Sequence, residues 1–319
     1  MEATTPHPEA PVLTITLPDA DIADRLADLA DRVEMVRWDL TTPLPDEVAA
    51  RVRAVEVPHY FNAGDFGILR SLPNLEWVWL PSAGFEHALP YIPAGVGLCN
   101  GRGIQSAGTA ELALTLTLAA QRGIPDAAHA QDRGEWSAPF GPSLADRRVL
   151  LVGFGSVARA VAARLAPFEV GVTAVARHAR TEDGIAVHAM ADLPDLLPHA
   201  DVVILTVPLN EGTEHLFDAP MLARMPDDAL LVNIARGRVV DTDALLAELA
   251  AHRLRAALDV TDPEPLPPDH PLWHAPNVLI TAHQGGNTTA TYPRTARLVR
   301  RQIGHLLAGE DPENIVRRP

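Results

Sequence analysis

The sequence predicts an α/β protein with two parallel β-sheets, each flanked by helices. Short apolar segments alternate with helical segments in both halves of the 319-residue chain, a pattern typical of parallel sheets that are covered on both faces. A chain of this length is expected to form about two domains. Apolar residues make up 47% and charged residues 21% of it, which is the balance of a soluble globular protein rather than a disordered one.

The first hundred residues alternate between predicted strands and helices. The strands are expected at Pro11–Leu17, Val33–Trp38, Val55–Pro58, Leu75–Leu80 and Val96–Cys99. The helices are expected at Asp21–Arg32, Pro45–Ala54 and Phe66–Ser71. Thr109–Arg122 is almost uncharged, which predicts a buried helix at a domain junction. Gly123–Asp146 is rich in Pro and Gly and is expected to be an irregular connector.

The second half repeats the alternation more strongly. Its strands are expected at Val149–Val152, Gly171–Ala176, Asp201–Val207, Ala229–Ile234, Ala256–Val260 and Val278–Thr281. Its helices are expected from Ser156 onward and at Asp192–Leu197, Asp218–Arg224, Thr242–His252 and Thr289–Gly309.

A glycine motif joins the first strand of this half to its first helix. The segment VLLVGFGSVA places Gly153 at a sharp turn, Gly155 where backbone can approach a pyrophosphate, and Ala158 where helix and strand pack closely. The N-terminus of the following helix would direct free N–H groups at the phosphates. Alone, the motif can also be a glycine turn between a core strand and a helix.

Charge excludes several classes of function. The net charge of −15 and the pI of about 5.2 are the opposite of the basic balance that nucleic-acid binding requires. The chain contains no lysine, which excludes Schiff-base chemistry and a Walker-type phosphate lysine. A carboxylate or phosphate must therefore be bound by Arg, His or backbone N–H groups. No metal site is predicted.

The chain carries no predicted signal for membranes or export. No apolar run approaches the roughly 20 residues that cross a bilayer. The acidic, Pro-rich N-terminus lacks the basic start and apolar core of a signal peptide. The single cysteine, Cys99, cannot form an internal disulfide. We therefore expect a cytoplasmic protein.

Arg236, Glu264 and His283 each follow shortly after a predicted strand of the second half. Taken singly, they can be a surface turn arginine, a solvated loop acid and a structural histidine. Because ligands bind outside the carboxyl ends of such strands, the three together indicate an acid–base site beside the dinucleotide.

The chain resembles the D-isomer-specific 2-hydroxyacid dehydrogenase family. The matching segments of the second half are VLLVGFGSVA, DVVILTVPLNEGTEHLF, ALLVNIARGRVVDTDAL, AALDVTDPEPLPPDHPLW and LITAHQGGNT. Two further segments, WVWLPSAGFEHA and CNGRGIQSAGTAELAL, match in the first half. The resemblance thus covers roughly residues 75–290 in the family's order.

The resemblance implies two Rossmann-like domains with an active-site cleft between them. The substrate domain would comprise residues 1–101 and 286–319, and the NAD(P)-binding domain residues 102–285. The implied activity is that of an NAD(P)-dependent oxidoreductase (EC 1.1.1.-) that interconverts a 2-keto acid and a D-2-hydroxy acid, similar to glyoxylate/hydroxypyruvate reductases. Family members usually dimerise through the region of Thr109–Arg122 and the segment after it, which implies a homodimer.

The resemblance also assigns site residues. It gives the catalytic roles to Arg236, Glu264 and His283, with Arg236 anchoring the substrate carboxylate and His283 acting as the acid–base group. It assigns the substrate loop to Ser82, Ala83 and Gly84. The cofactor contacts would be Thr109, Gly153, Phe154, Gly155, Ser156, Val157, Arg177, His178, Arg180, Val207, Pro208, Thr213, Ala235, Asp259, His283 and Gly285.

Elementary chemistry supports these roles. A His side chain can exchange a proton near neutral pH, and a nearby Glu264 carboxylate would raise the pKa of His283. The planar guanidinium of Arg236 can bind a carboxylate with two hydrogen bonds and stabilise negative charge that develops on the carbonyl oxygen.

Two departures from the family pattern bear on specificity. NAD-using members often place an Asp after the second strand, but here the residues are Ala176-Arg177-His178-Ala179-Arg180. Arg177 and Arg180 can bind a 2′-phosphate, which favours NADP(H) over NAD(H), or they can be solvent-facing charges. On the substrate side, His59, Tyr60 and Phe85 can line the site, although Tyr60 and Phe85 can equally be core residues.

Two other functions remain open from the sequence. Formate oxidation uses the same fold, but that branch does not use the Glu partner that Glu264 supplies. A dinucleotide-sensing protein of the corepressor type can retain the Arg, Glu and His without significant turnover.

Overall fold

The computed structural model describes residues 12–59 and 63–319 of the chain. The chain divides into two compact units. One comprises the chain up to Gln105 together with Thr289–Pro319, and the other comprises Ser106–Thr288. The predicted assignment of substrate and cofactor to separate domains remains a prediction. The predicted Tyr60 contact lies outside the described residues.

Strands and helices alternate through most of the described chain. The strands are β1 (Leu13–Leu17), β2 (Val33–Arg37), β3 (Val52–Glu56), β4 (Trp77–Trp79), β5 (Gly97–Cys99), β6 (Arg148–Val152), β7 (Gly171–Ala176), β8 (Arg180–Glu182), β9 (Ile185–Ala189), β10 (Val202–Leu205), β11 (Leu230–Asn233), β12 (Arg255–Leu258), β13 (Val278–Ile280) and β14 (Ile315–Arg317). The α-helices are α1 (Ala20–Asp24), α2 (Asp46–Ala49), α3 (Ser106–Gln121), α4 (Ile124–Asp132), α5 (Ser156–Leu165), α6 (Leu193–Leu196), α7 (Ala219–Leu222), α8 (Thr242–Ala250) and α9 (Thr291–Ala308). Short 3-10 helices occupy Ala27–Leu29, Ala63–Ser71, Leu89–Tyr91, Ala166–Phe168, Met190–Asp192, Leu197–His199, Gly237–Val239 and Pro271–His274.

The sheet of the first unit has the strand order β14-β5-β4-β3-β1-β2. Its pairs are parallel except that β14 runs antiparallel to β5. The first five strands therefore follow the order 2-1-3-4-5 of a doubly wound sheet. In such a sheet the order reverses between β1 and β3, and ligands bind outside the carboxyl ends of the strands at that point.

The sheet of the second unit has the order β13-β12-β11-β10-β6-β7-β9-β8. Its pairs are parallel except β8 with β9. Six neighbouring strands of this sheet, β9-β7-β6-β10-β11-β12, have the 3-2-1-4-5-6 order of dinucleotide-binding sheets. The order reverses between β6 and β10. The predicted α/β class with two doubly wound sheets is confirmed.

Both faces of the second sheet are buried, as the apolar strands predict. Leu150 and Val152 of β6 pack into one core cluster, whereas Val149 and Leu151 pack into another on the opposite face. Alternate residues of a strand point to opposite faces of the sheet. A strand in which every residue is apolar must therefore be buried on both faces. This cover fixes the register of β6 and hence the position of the glycine turn that follows it.

Two helices of the first unit are shorter than predicted. The helix expected at Pro45–Ala54 ends at Ala49, and β3 begins at Val52, because the β-branched valines of this segment are better suited to the sheet. The helix expected at Asp21–Arg32 ends at Asp24. There the chain leaves helical geometry at Leu26 (φ −116°), whose side chain is fully buried.

The expectation that Gly123–Asp146 is irregular throughout was wrong, because α4 forms within it. Pro125 lies in the first turn of α4, where a missing backbone N–H costs no helical hydrogen bond. The hairpin of β8 and β9 and the edge strand β14 were not predicted either. None of the helices in the described ranges combines the length and apolar character needed to cross a membrane.

Candidate active site

The glycine turn after β6 has the geometry that the motif requires. Gly153 has φ +96°, in the left-handed region that favours glycine. A Cβ on Gly153 would lie 2.8 Å from Oγ1 of Thr206. Thr206 Oγ1 donates to the carbonyl oxygens of Val152 and Gly153, each at 3.1 Å, and thereby fixes the turn against the end of β10.

The N-terminus of α5 is open to a ligand. Gly155 precedes this ten-residue helix and provides no side-chain cap for its first N–H groups. A Cβ built on Gly155 would meet nothing within 4 Å, so space exists beside the backbone. Free N–H groups and the positive end of the helix dipole suit a phosphate, so these residues fit the pyrophosphate of a dinucleotide. Ser106 Oγ donates to Ser156 Oγ at 3.0 Å and joins the starts of α3 and α5.

An arginine–glutamate cluster borders the turn. Arg159 and Arg180 place their guanidinium groups 5.9 and 5.8 Å from the ring centre of Phe154, which is buried. Both pair with Glu182, Arg180 at 2.6 Å, and these hydrogen bonds lower the pKa of Glu182. Because the side chain of Phe154 is buried, only the backbone of this residue can contact a cofactor. Arg177 is exposed and makes no hydrogen bond or ion pair within the described part of the chain.

Other predicted cofactor residues lie at the same sheet edge, with different roles. Thr213 is 8% exposed, and its Oγ1 donates to the carbonyl oxygen of Pro208 at 2.6 Å, so it closes the loop after β10. Val207 and Ala235 are buried, Val157 is half-buried, and His178 is exposed.

Arg236 is positioned by the fully buried side chain of Asn233 at the end of β11. Asn233 Oδ1 accepts from the backbone N–H of Ala235, and its Nδ2 donates to the carbonyl oxygen of Arg236, each at 3.0 Å. Gly237 follows, where a Cβ would lie 1.8 Å from the carbonyl oxygen of Thr261. The chain after β11 therefore packs directly against the chain after β12, and only glycine fits at this contact.

His283 and Glu264 form a direct pair. Nδ1 of His283 lies 2.5 Å from Oε1 of Glu264, although they come from the loops after two different strands. This hydrogen bond and the carboxylate charge raise the pKa of His283, against the opposing effects of partial burial and the Arg236 charge. Partial burial acts to raise the pKa of Glu264, but the hydrogen bond with His283 and the charges of His283 and Arg236 outweigh it, so this pKa is lowered.

Asp259 organises the backbone that carries His283. Its carbonyl oxygen accepts from the N–H of His283 at 2.7 Å. Asp259 is 2% exposed. Its carboxylate accepts hydrogen bonds from the N–H groups of Gln284 (2.9 Å) and Gly285 (3.0 Å) and from Thr281 Oγ1 (2.6 Å). A Cβ on Gly285 would lie 3.2 Å from both Asp259 Oδ2 and Thr109 Oγ1, so α3 packs closely on this turn.

In the predicted substrate loop, residues 82–84, all three carbonyl oxygens accept hydrogen bonds. The carbonyl oxygen of Ser82 accepts from Gly101 N–H, that of Ala83 from Asn100 Nδ2, and that of Gly84 from Ser82 Oγ, each at 2.7 Å. Among the described residues, none of the three loop N–H groups donates a hydrogen bond. The loop therefore has donors available for an anion. Phe85 packs against the core of the first unit.

The structure thus brings together the predicted Arg236, Glu264 and His283, and adds residues that the sequence analysis missed. Thr206 and Thr281 join neighbouring loops by hydrogen bonds, Asn233 holds its own loop, and Arg159 meets Glu182 through the unpredicted hairpin. The sequence signal for this hairpin is Asp183-Gly184, where both residues have positive φ (52° and 77°), as a two-residue hairpin turn requires.

Comparisons with known proteins agree with this geometry. Residues 114–285 match the family model for the NAD-binding domain of D-isomer specific 2-hydroxyacid dehydrogenases. The chain is 34% identical to a glyoxylate reductase of Thermofilum pendens, over 80% of this chain and 78% of that protein. It is 32% identical to the human glyoxylate reductase/hydroxypyruvate reductase, over 89% of this chain and 90% of that protein.

A solved structure shares the whole fold. It is a D-isomer specific 2-hydroxyacid dehydrogenase from Xanthobacter autotrophicus Py2 in complex with NADPH and MES, with a TM-score of 0.80 and 28% identity. The similarity covers 96% of this chain and 98% of that one. With the family model covering more than half of its length, the chain belongs to the D-isomer-specific 2-hydroxyacid dehydrogenase family.

Proposed function

We propose that the protein reduces small 2-keto acids to D-2-hydroxy acids, with His283 as the proton donor, and catalyses the reverse oxidation. The observation that carries this proposal is the 2.5 Å contact between His283 Nδ1 and Glu264 Oε1, close enough to Arg236 for its charge to affect both. The named relatives are reductases, which favours turnover over dinucleotide sensing.

His283 has one nitrogen for orientation and one for chemistry. Because Nδ1 is engaged by Glu264, Nε2 is the atom that gives its proton to the carbonyl oxygen. The raised pKa of His283 favours the protonated form that reduction requires. In the oxidation direction, neutral Nε2 accepts the proton of the substrate hydroxyl.

Arg236 binds and polarises the substrate. Its guanidinium can donate to a carboxylate oxygen and to the carbonyl oxygen, which orients C2 and stabilises charge on oxygen as reduction proceeds. When bound, the reduced nicotinamide supplies the hydride to C2. The open start of α5 would hold its pyrophosphate, and we assign the substrate carboxylate also to the N–H groups of Ser82, Ala83 and Gly84.

A panel of keto acids tests this function. Glyoxylate, hydroxypyruvate, pyruvate and phenylpyruvate are each incubated with NADPH and, separately, with NADH, and cofactor oxidation is followed at 340 nm. We expect turnover of at least one keto acid. Tight cofactor binding with no turnover of any would contradict the proposal and favour a dinucleotide sensor.

Replacing Glu264 is expected to move the pH dependence of reduction. Reduction needs protonated His283, so activity falls as pH rises through its raised pKa. Glu264→Gln removes the carboxylate charge, so the alkaline fall in kcat should move to lower pH. The control is Glu310→Gln, which disrupts the exposed pair of Glu310 with His305 and should leave the profile unchanged. An unmoved alkaline limb in Glu264→Gln would remove Glu264 from this role.

We further propose that the protein prefers NADP(H). The support is Arg177, exposed after β7 and without a partner among the described residues, where a 2′-phosphate would lie. Arg177→Ala is expected to raise KM for NADPH about tenfold, the loss of one charge-assisted hydrogen bond, with little effect on KM for NADH. Exposed Arg224→Ala serves as the control. A wild-type preference for NADH would contradict this assignment.

We also propose a homodimer. Trp136 and Phe140 are fully exposed in the segment after α4, and Ile124 at the start of α4 is 54% exposed. Neighbouring large apolar side chains on a surface are typical of interfaces. Light scattering should give twice the chain mass of 34.3 kDa, and a monomer mass at micromolar concentration would contradict the dimer.

A further inference from the structure

The first unit contains a cavity at the point where its strand order reverses. The cavity has a volume of about 180 Å³ and lies at the carboxyl ends of β1 and β3. Pro18 and Asp19 line it after β1, and Val57 and His59 line it after β3. Doubly wound sheets bind their ligands at this position, so the cavity is placed where the topology favours a ligand.

Glu56, the last residue of β3, is a buried glutamate at the edge of this cavity. It lines the cavity and is 2% exposed, yet Oε1 has no hydrogen-bond partner among the described residues. Burial alone holds the pKa of this carboxyl well above its usual value, and a cation bound beside it would lower that pKa and favour the carboxylate. A buried acceptor without a donor is costly, so a ligand that supplies a donor would remove the penalty.

The charge around Glu56 determines which donor fits. Asp19 and Asp39 also line the cavity, and neither Arg nor Lys is among its described lining residues. Asp19 caps the backbone of Asp21, and Asp39 accepts from Thr41, so both carboxylates are held in place. An anionic group would be repelled here, whereas a cation would be attracted. Within the described ranges no three His, Cys, Asp or Glu side chains could together hold a metal ion, which favours an organic cation.

The cavity is adjacent to the loop assigned to the substrate carboxylate. Pro81 lines the cavity, and Ser82 follows it directly in the chain. We propose that this cavity receives a distal guanidinium or ammonium group of the substrate, and that Glu56 selects 2-keto acids with a cationic side chain. The inference rests on the proposed function. The reaction is unchanged: C2 gains the hydride of NAD(P)H, the carbonyl oxygen gains the His283 proton, and the C=O double bond becomes a single bond.

A substrate series that differs in side-chain charge tests the inference. The kcat/KM values are measured for 5-guanidino-2-oxopentanoate, for 2-oxohexanoate with its uncharged side chain and for 2-oxoglutarate with its anionic side chain, with glyoxylate as a reference that has no side chain. We expect the guanidino compound to exceed 2-oxohexanoate by about tenfold or more, as for a hydrogen bond between charged groups, and 2-oxoglutarate to be the poorest.

Glu56→Gln should abolish this preference and leave kcat/KM for glyoxylate nearly unchanged. The control is Glu76→Gln, at a half-buried glutamate before β4 that pairs with Arg53, and it should retain the preference. Equal wild-type use of the guanidino compound and 2-oxohexanoate would overturn the inference, even if the variant fails to fold, and would leave the proposed function intact. A preference that persists in Glu56→Gln would also overturn it. Turnover of no keto acid would overturn the proposed function as well.

Discussion

His283→Gln is expected to lower kcat for keto-acid reduction about 10²- to 10⁴-fold, while Kd for NADPH changes little. Glutamine preserves the polar character of the side chain and can still contact Glu264, but it cannot give a proton at the Nε2 position. The loss is therefore expected in kcat rather than in cofactor affinity. Single-turnover kinetics and fluorescence titration of NADPH separate the two quantities.

The chain provides a matched control for this substitution. His305 also pairs with a glutamate, since its Nδ1 lies 2.9 Å from Glu310 Oε2 on the first unit. His305→Gln should therefore retain wild-type kcat. If His283→Gln keeps most of the wild-type rate, another group must supply the proton, and the role given to His283 is wrong.

Arg236→Ala is expected to lower kcat roughly 10²- to 10³-fold and to raise KM for the keto acid. Both constants should change because, in its proposed role, Arg236 binds the carboxylate in the ground state and stabilises charge on oxygen in the transition state. Arg236→Lys should restore little activity, since an ammonium group cannot donate in the planar fork of a guanidinium.

Arg238 is the control for this position. It lies two residues further along the same loop, is exposed and pairs with Glu214 on the surface. Arg238→Ala should leave both constants close to their wild-type values. An Arg236→Ala variant with unchanged KM would count against its role as the carboxylate anchor, while an unchanged kcat would count against its role in polarising the carbonyl.

The alternation of strands and helices was sufficient to predict the parallel sheets and the sheet edge at which the candidate site residues lie. Continuous apolar strands such as β6 and β10 can only be buried on both faces, and parallel strands place their following loops together. Arg236, Glu264 and His283 could be placed near one another for that reason. Their contact distances could not, because these depend on the tertiary contacts of Asp259 and Gly237 and on the local hydrogen bonds of Asn233.

Local propensity misled where tertiary packing decides the conformation. The residues after Ala49 are compatible with a helix, but Val52 pairs in the sheet with Thr14 of β1. The hairpin of β8 and β9 turns at Asp183-Gly184, a two-residue turn signal that the sequence prediction passed over, and the contact of Glu182 with Arg159 depends on that hairpin. Glu56 appeared to be an ordinary strand residue, and only its burial in the sheet distinguishes it.

The hydrogen bonds that Asp259 accepts determine how the imidazole of His283 is oriented. His283 has φ 47°, a conformation that is uncommon for residues other than glycine, and the hydrogen bonds that Asp259 accepts from the surrounding backbone hold it there. Folding thus orients the imidazole against Glu264 before any substrate arrives. In its proposed role as proton donor, His283 would need little rearrangement in the transition state, which is the condition under which fixed charges and dipoles accelerate a reaction most.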